Sequence, residues 1–191
     1  DWSVIEGPTI RIVEAGRHLR KLKRGALAGN RFSISVRSVA GHRDEIATRM
    51  RQVATGGVPN YFGPQRFGRH GANLTAARDL LLRGQIVRSR HHRGLYLSAA
   101  RSYLFNRILA RRVASVSWNR AIDGDVLMFQ ASQRVFRGDR GASDIAERVA
   151  AQEIHPGGTL WGRGATLLTG DALADETAAL DACAPLCTAL E

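Results

Sequence analysis

The 191-residue chain carries a net charge of +11 and is 44% apolar, enough to fill the core of one large domain or parts of two. No run of about 18 apolar residues occurs, which excludes a helix spanning a membrane. No Gly-x-x-x-x-Gly-Lys-Ser/Thr phosphate cradle occurs either, which argues against nucleotide hydrolysis. The charge is uneven. Residues 1–112 hold 22 Lys and Arg against 6 Asp and Glu, whereas residues 113–191 hold 6 against 11. A basic front and a mildly acidic tail point to a polyanion on one side of the molecule. Lys21 and Lys23 are the only lysines; every other basic residue is arginine. Arginine favours bidentate phosphate contact and stacking, but a GC-rich genome produces the same bias. An anionic membrane surface fits less well, because no basic amphipathic segment has a bulky apolar face free for lipid.

Thr9 to Glu14 alternates and predicts a strand. A basic cluster follows, Arg17, His18, Arg20, Lys21, Lys23 and Arg24, with five Lys and Arg in eight residues just ahead of Asn30. It is either a solvated surface or a phosphate contact, which supplies salt-dependent affinity without reading sequence. Phe32 to Arg37 alternates strictly, with Phe32, Ile34 and Val36 on one face, and predicts the clearest strand. Asp44 to Ala54 predicts a helix with Ile46, Met50 and Val53 on one stripe. Asn73 is the expected cap of a helix ending at Gly84. Arg88 to Arg93 is a basic patch with two histidines. Ser98 is expected to cap a longer helix to about Val113, with Ala100, Leu104, Phe105, Ile108 and Leu109 buried and Arg101, Arg107, Arg111 and Arg112 mostly off that stripe. Asp123-Gly124-Asp125 marks a turn before a strand over Val126–Phe129. Ser143 caps a short helix to about Ala151, Pro156-Gly157-Gly158 opens a loop around Trp161, and Asp175 to Ala184 is helical. The mixture gives an α+β fold, with a domain boundary at Thr55-Gly56-Gly57.

The run from Gly57 to Gly68 (Gly-Val-Pro-Asn-Tyr-Phe-Gly-Pro-Gln-Arg-Phe-Gly) suits neither a core helix nor a core strand. Gly and Pro fix an irregular backbone. Asn60, Gln65 and Arg66 offer planar hydrogen-bonding groups, and Tyr61, Phe62 and Phe67 offer flat apolar faces, the groups that RNA contacts use. The alternative is a structural loop whose aromatics plug into the nearest core. The six histidines lack partners at metal-ligand spacing, and Ser98 is not in a nucleophile elbow. Cys183 and Cys187, four apart beside Pro185, are not placed for a disulfide; they read as free thiols and point to a cytoplasmic protein.

Three blocks resemble a known family in order and spacing. Gly25 to Phe32, preceded by Arg17 to Lys23, resembles the second motif of the tRNA pseudouridine synthase D (TruD) family. Gly57 to Gly68 resembles its Gly-x-Pro-Asn-Tyr-Phe-Gly-x-Gln-Arg-Phe-Gly motif, and Leu97 to Asn106 a third block. The resemblance covers nearly the whole chain and weakens after about Phe129. It implies isomerisation of a tRNA uridine to pseudouridine: the uracil is detached from its ribose, turned and rejoined through carbon, without metal or organic cofactor. The base must leave its stack. By resemblance Asn30 orients the catalytic aspartate or the base, and Phe32 stacks on the uracil; Phe32 is equally the first inward residue of a strand. RNA contacts are expected from Arg17, His18, Arg20, Lys21, Lys23, Arg24, Asn60, Tyr61, Phe62, Gln65, Arg66, Phe67, Arg69 and Arg101.

The family's first motif, Gly-x-Lys-Asp, carries the catalytic aspartate and is absent here. Asp44 follows the second motif instead of preceding it and suits a helix start. The expectation is therefore an internal segment: residues 1–56 from the catalytic domain with its mixed sheet, and residues 57–191 from the family's insertion domain, incomplete at its C-terminus. Such a segment is expected to bind tRNA weakly without turnover, to have no membrane association, and to come from a monomeric parent. The competing reading is a non-catalytic basic RNA-binding module. A ribosome-associated structural protein suits the acidic last third less well.

Overall fold

A computed structural model describes residues 7–14, 16, 17, 19, 21, 31–130, 132, 134–138 and 144–191. It divides between His42 and Arg43 into two units.

In the first unit, Gly7 and Ile10 exchange both backbone hydrogen bonds at 3.1 Å across a corner formed by Pro8 and Thr9. That tight turn folds the chain back on itself, so Thr9 to Glu14 is not the expected strand. Phe32 to Arg37 is not a strand either. Phe32, Ile34 and Val36 are 77%, 81% and 75% exposed. Alternation decides which side chains share a face, but a strand also needs a neighbouring backbone to bond, and no ladder forms over these residues.

The second unit is helical around one small sheet. Helix α1 (Arg43–Gly56) starts with Asp44 and Glu45, which complement the positive end of the helix dipole. Its stripe is not covered: Met50 is 62% exposed, and the helix buries no residue. After α2 (Pro64–Phe67) and a 3₁₀ turn at Arg69–Gly71, α3 (Ala72–Leu82) and α4 (Arg90–Ala114) form a helical hairpin. Asn73 does not cap α3. Gly71 holds the N-cap position in left-handed geometry and Asn73 lies within the first turn. Ser98 does not cap α4 either. The helix begins two turns earlier, where the Ser89 hydroxyl accepts the His92 amide at 3.3 Å. Arg90, His91, His92 and Arg93 therefore form the first turn of α4.

Ala77, Ala99 and Ala100 are fully buried; without bulk at the contact, helices can approach closely. Leu104 and Ile108 then pack with Leu180, Cys183, Leu186 and Cys187 from α6 (Gly170–Leu180), a following 3₁₀ turn and α7 (Ala184–Leu190). Helix α6 starts five residues before Asp175, because Asp171 supplies the acid of its first turn. Both cysteines are buried and free. Burial pushes the Cys187 thiol up to about 11, so it is protonated near neutrality.

The sheet has the order β2-β1-β3, all antiparallel: β1 (Val126–Phe129), β2 (Val135–Arg137) and β3 (Ile154–Pro156), with α5 (Ile145–Ala150) between β2 and β3. Leu127 faces Phe136 in the register, and Leu127, Ile154 and Val149 make a second core. The expected cap Ser143 lies outside the described residues. The chain is thus mixed α+β with a small three-stranded antiparallel sheet. Among the described residues, no helix is long and apolar enough to cross a membrane.

Candidate nucleic-acid interface

At the end of α1 the Gly57 amide bonds the Val53 carbonyl at 2.9 Å, and Gly57 turns the chain at φ +71°. Five residues on, the loop is clamped to α4. The Phe62 amide donates to Asn106 Oδ1 at 2.9 Å, and Asn106 Nδ2 donates to the Phe62 carbonyl at 2.9 Å. One side-chain amide thus satisfies both backbone groups of an irregular segment, as a neighbouring strand would. Phe62 meets Phe105 edge to face at 5.3 Å. Arg66 lies over the Phe62 ring at 5.2 Å and donates to Ser98 Oγ at 3.1 Å. Gly68 (φ +77°) approaches Asn73 so closely that a Cβ would sit 2.9 Å from its side chain.

The reading of a structural loop holds for part of the motif. Phe62 and Phe67 are half-buried, while Asn60, Tyr61, Gln65, Arg66 and Arg69 are exposed. Packing one set of side chains against α4 fixes the backbone that carries the others.

Arg101, one α4 turn from Ser98, donates from Nε to the Trp161 carbonyl at 2.7 Å and from NH2 to the Leu160 carbonyl at 2.9 Å. It fastens the loop after β3 to α4. Gly158 in that loop lies against Phe105, where a Cβ would come within 2.6 Å of the ring. Between this loop and the Gly57–Phe62 segment opens a cleft of about 1610 Å³, with Phe105 and Leu109 in its lining. His155 on β3 also lines it and shares a 2.6 Å hydrogen bond with Gln130.

A buried ion pair shapes the other wall. Arg112 is not off the buried stripe, as its sequence position suggests; it lies beneath the segment that follows α4. Its NH1 and NH2 bond the two carboxylate oxygens of Asp125 at 2.8 Å each, with side chains 8% and 1% exposed. NH2 also donates to the carbonyls of Ser117 and Arg120, at 3.2 and 2.9 Å, and Asp125 accepts the Ile122 amide at 2.9 Å. The Arg120 amide closes a turn on the Ser117 carbonyl at 3.2 Å. Trp118 and Asn119 occupy its corner. None of the sequence patterns marks this turn; its one signal is a tryptophan beside two polar residues just after a long basic helix.

Asn30, His18, Arg20, Lys23 and Arg24 lie outside the described residues. Arg17, Lys21 and Phe32 are exposed in the first unit. Among the described residues, no group of three His, Cys, Asp or Glu side chains is placed to hold a metal ion.

The family profile for tRNA pseudouridine synthase D (TruD) matches residues 3–89 and 87–183. The chain belongs to the TruD family. Proteins named tRNA pseudouridine synthase D align along it: 51% identical over 191 residues in Methylococcus capsulatus, 44% over 182 in Hydrogenovibrio crunogenus and 43% over 195 in Xanthomonas axonopodis pv. citri. These cover 100%, 95% and 94% of this chain but 54%, 52% and 52% of the relatives. The chain spans about half the length of the curated TruD relatives it matches.

Proposed function

We propose that this chain is the middle of a tRNA pseudouridine synthase, an isomerase that converts a tRNA uridine to pseudouridine. The observation that carries the proposal is the 51% identity to a tRNA pseudouridine synthase D along all 191 residues. Residues 1–56 belong to its catalytic domain and residues 57–191 to the insertion domain. Asn30 orients the reacting groups and Phe32 stacks on the uracil. Arg17, His18, Arg20, Lys21, Lys23 and Arg24 bind phosphates. Asn60, Tyr61, Gln65, Arg66 and Arg69 contact RNA from the exposed side of the Gly57–Gly68 loop, while Phe62 and Phe67 hold its shape. Arg101 has two nitrogens committed to the Leu160 and Trp161 carbonyls and turns its remaining donors to RNA. No Gly-x-Lys-Asp occurs in the sequence, so the attacking aspartate comes from outside these residues.

The test is tritium release from uracil-labelled tRNA. Residues 1–191 alone are expected to release none, and robust release would refute the claim that the nucleophile lies elsewhere. In the longer parent protein, Asn30→Ala is expected to lower the rate with only a modest loss of tRNA affinity. Unchanged turnover would remove Asn30 from the site.

A further inference from the structure

We propose that the cleft walled by the Ser117–Arg120 turn and the Gly57–Asn60 segment binds unpaired RNA nucleotides, with a base stacked on Trp118. This rests on the reading of the chain as RNA-binding and adds a site for single-stranded nucleotides within residues 43–191.

The first ground is how the turn is held. Desolvating Arg112 and Asp125 carries a penalty of several kcal/mol per ion, which their attraction only partly offsets. A hydrophobic pair of the same size would serve packing as well. An apolar pair could not bond the carbonyls of both Ser117 and Arg120, the two ends of the turn, while also orienting Asp125 to accept the Ile122 amide. The buried pair therefore sets the direction of Trp118, Asn119 and Arg120. Trp118 is half-buried and lines the cleft; Asn119 and Arg120 are exposed beside it.

The facing wall is held with equal care. Gln152, a non-glycine residue at φ +59°, donates from Nε2 to the Thr55 carbonyl at 3.0 Å. Left-handed geometry at such a residue is uncommon. A Cβ at Gly57 would lie 3.6 Å from Gln152 Nε2 and 4.0 Å from the Trp118 indole. The exposed Asn60 amide continues this wall.

Chemistry and size select the occupant. An aromatic platform with amides and an arginine nearby is what single-stranded recognition requires, because a splayed base offers both its face and its hydrogen-bonding edge. A base within a duplex cannot present its face to an indole inside a cleft. The volume of about 1610 Å³ exceeds the roughly 300–1,000 Å³ of an ordinary small-molecule pocket and suits several nucleotides. The charged side chains of the lining are Arg120, Asp123 and Asp171, so the indole face and the amides, rather than phosphate contacts inside the cleft, select the occupant.

The test titrates residues 1–191 with a single-stranded uridine hexanucleotide at low salt and follows tryptophan fluorescence and filter binding. Trp118→Leu is expected to weaken binding about tenfold, in line with the loss of one stacked base. Trp118→Phe should restore most of it, and an RNA duplex of the same length should compete poorly. Asn119→Ala and Arg120→Ala, both at exposed positions, should each weaken binding a few-fold, and they carry the test if Trp118→Leu does not fold. If the hexanucleotide binds and none of these variants weakens it, the cleft is not the site, while the broader reading stands. If neither tRNA nor the hexanucleotide binds, that reading falls and the site falls with it. A peptide that displaces the hexanucleotide from wild type but not from Trp118→Leu would also overturn the assignment to RNA.

Discussion

The two ends of α4 use arginine in opposite ways. At the carboxyl end, Arg112 is buried, bonds Asp125 through two nitrogens and sits where the helix dipole favours a cation. At the amino end, Arg90 and Arg93 are exposed in a first turn that contains no acid, where the dipole disfavours positive charge. The buried arginine is explained by the fold. The exposed ones work against the stability of their own helix, and an external anion is the explanation to be tested. Removing Arg112 should therefore produce the largest structural effect in the molecule. Arg112→Ala strands Asp125 as a buried, unpaired carboxylate and is expected to lower the unfolding free energy by about 3–5 kcal/mol. Urea denaturation measures this directly. Replacing both partners by apolar residues of similar volume should recover most of the stability. If the single variant is as stable as the parent, the contrast between the two ends of α4 disappears.

Asn106 lies between those extremes, midway along the helix, and it acts on a loop. Asn106→Ala removes two hydrogen bonds from Phe62 and leaves a part-buried amide and carbonyl without those partners. The expected loss is about 1–3 kcal/mol, with faster hydrogen exchange at the Phe62 amide. Asn106→Asp keeps an acceptor for the amide but not a donor for the carbonyl, so it should recover part of the loss. An exchange rate at Phe62 that does not respond to Asn106→Ala would show that the clamp is not what shapes the loop.

What could be read from the sequence follows from where each element finds its hydrogen bonds. Helices satisfy themselves within a segment, so α1, α3 and α4 were legible, with errors at the starts of α3 and α4. Asn73 and Ser98 were reasonable caps by residue type; a glycine in left-handed geometry and an earlier serine took those positions. The strand at Val126–Phe129 was legible because the Asp123-Gly124-Asp125 turn announced it. Phe32 to Arg37 showed the right alternation, but alternation does not specify the neighbouring backbone. The Gly57–Gly68 motif was legible as irregular and polar-aromatic, although the division of labour between Phe62 and the exposed Asn60, Gln65 and Arg66 required the contact with Asn106. The Arg112–Asp125 pair was not legible. Its partners are thirteen residues apart, and a buried arginine has the same residue type as the many exposed ones around it.

Glu176 on α6 extends the buried polar group towards the loop after β3. Burial raises its carboxyl above the ordinary value of 4.5, and this outweighs the opposing effects of hydrogen bonds from Thr159 and the charge of Arg112. One of its oxygens, Oε1, has no hydrogen-bond partner. The folded state therefore holds the Glu176 proton more tightly than the unfolded chain does. The stability this group contributes is fully present below about 4.5 and is lost as pH rises from there through the raised folded value. Glu176→Gln should flatten that part of the stability–pH curve and be at least as stable as the parent at pH 7, in thermal melts across pH 4–8. A variant curve parallel to the parent's would mean that Glu176 titrates normally.

The smallest structural effect is expected at the amino end of α4, and it sharpens the contrast most. The double variant Arg90→Ala/Arg93→Ala removes two cations from the positive end of a helix dipole, where each is unfavourable by roughly 0.3–1 kcal/mol. Its melting temperature should stay level or rise slightly. If these arginines meet phosphates, RNA affinity should fall, and the slope of log affinity against log salt should shrink by roughly 0.7–0.9 for each phosphate no longer neutralised. A surface that merely solvates the helix gives neither change, and one that stabilises it gives a lower melting temperature with the salt slope intact. Only a phosphate-binding role joins unchanged or improved stability to a weakened salt dependence, so the two measurements together separate the anion-facing arginines from the structural one at the other end of the same helix.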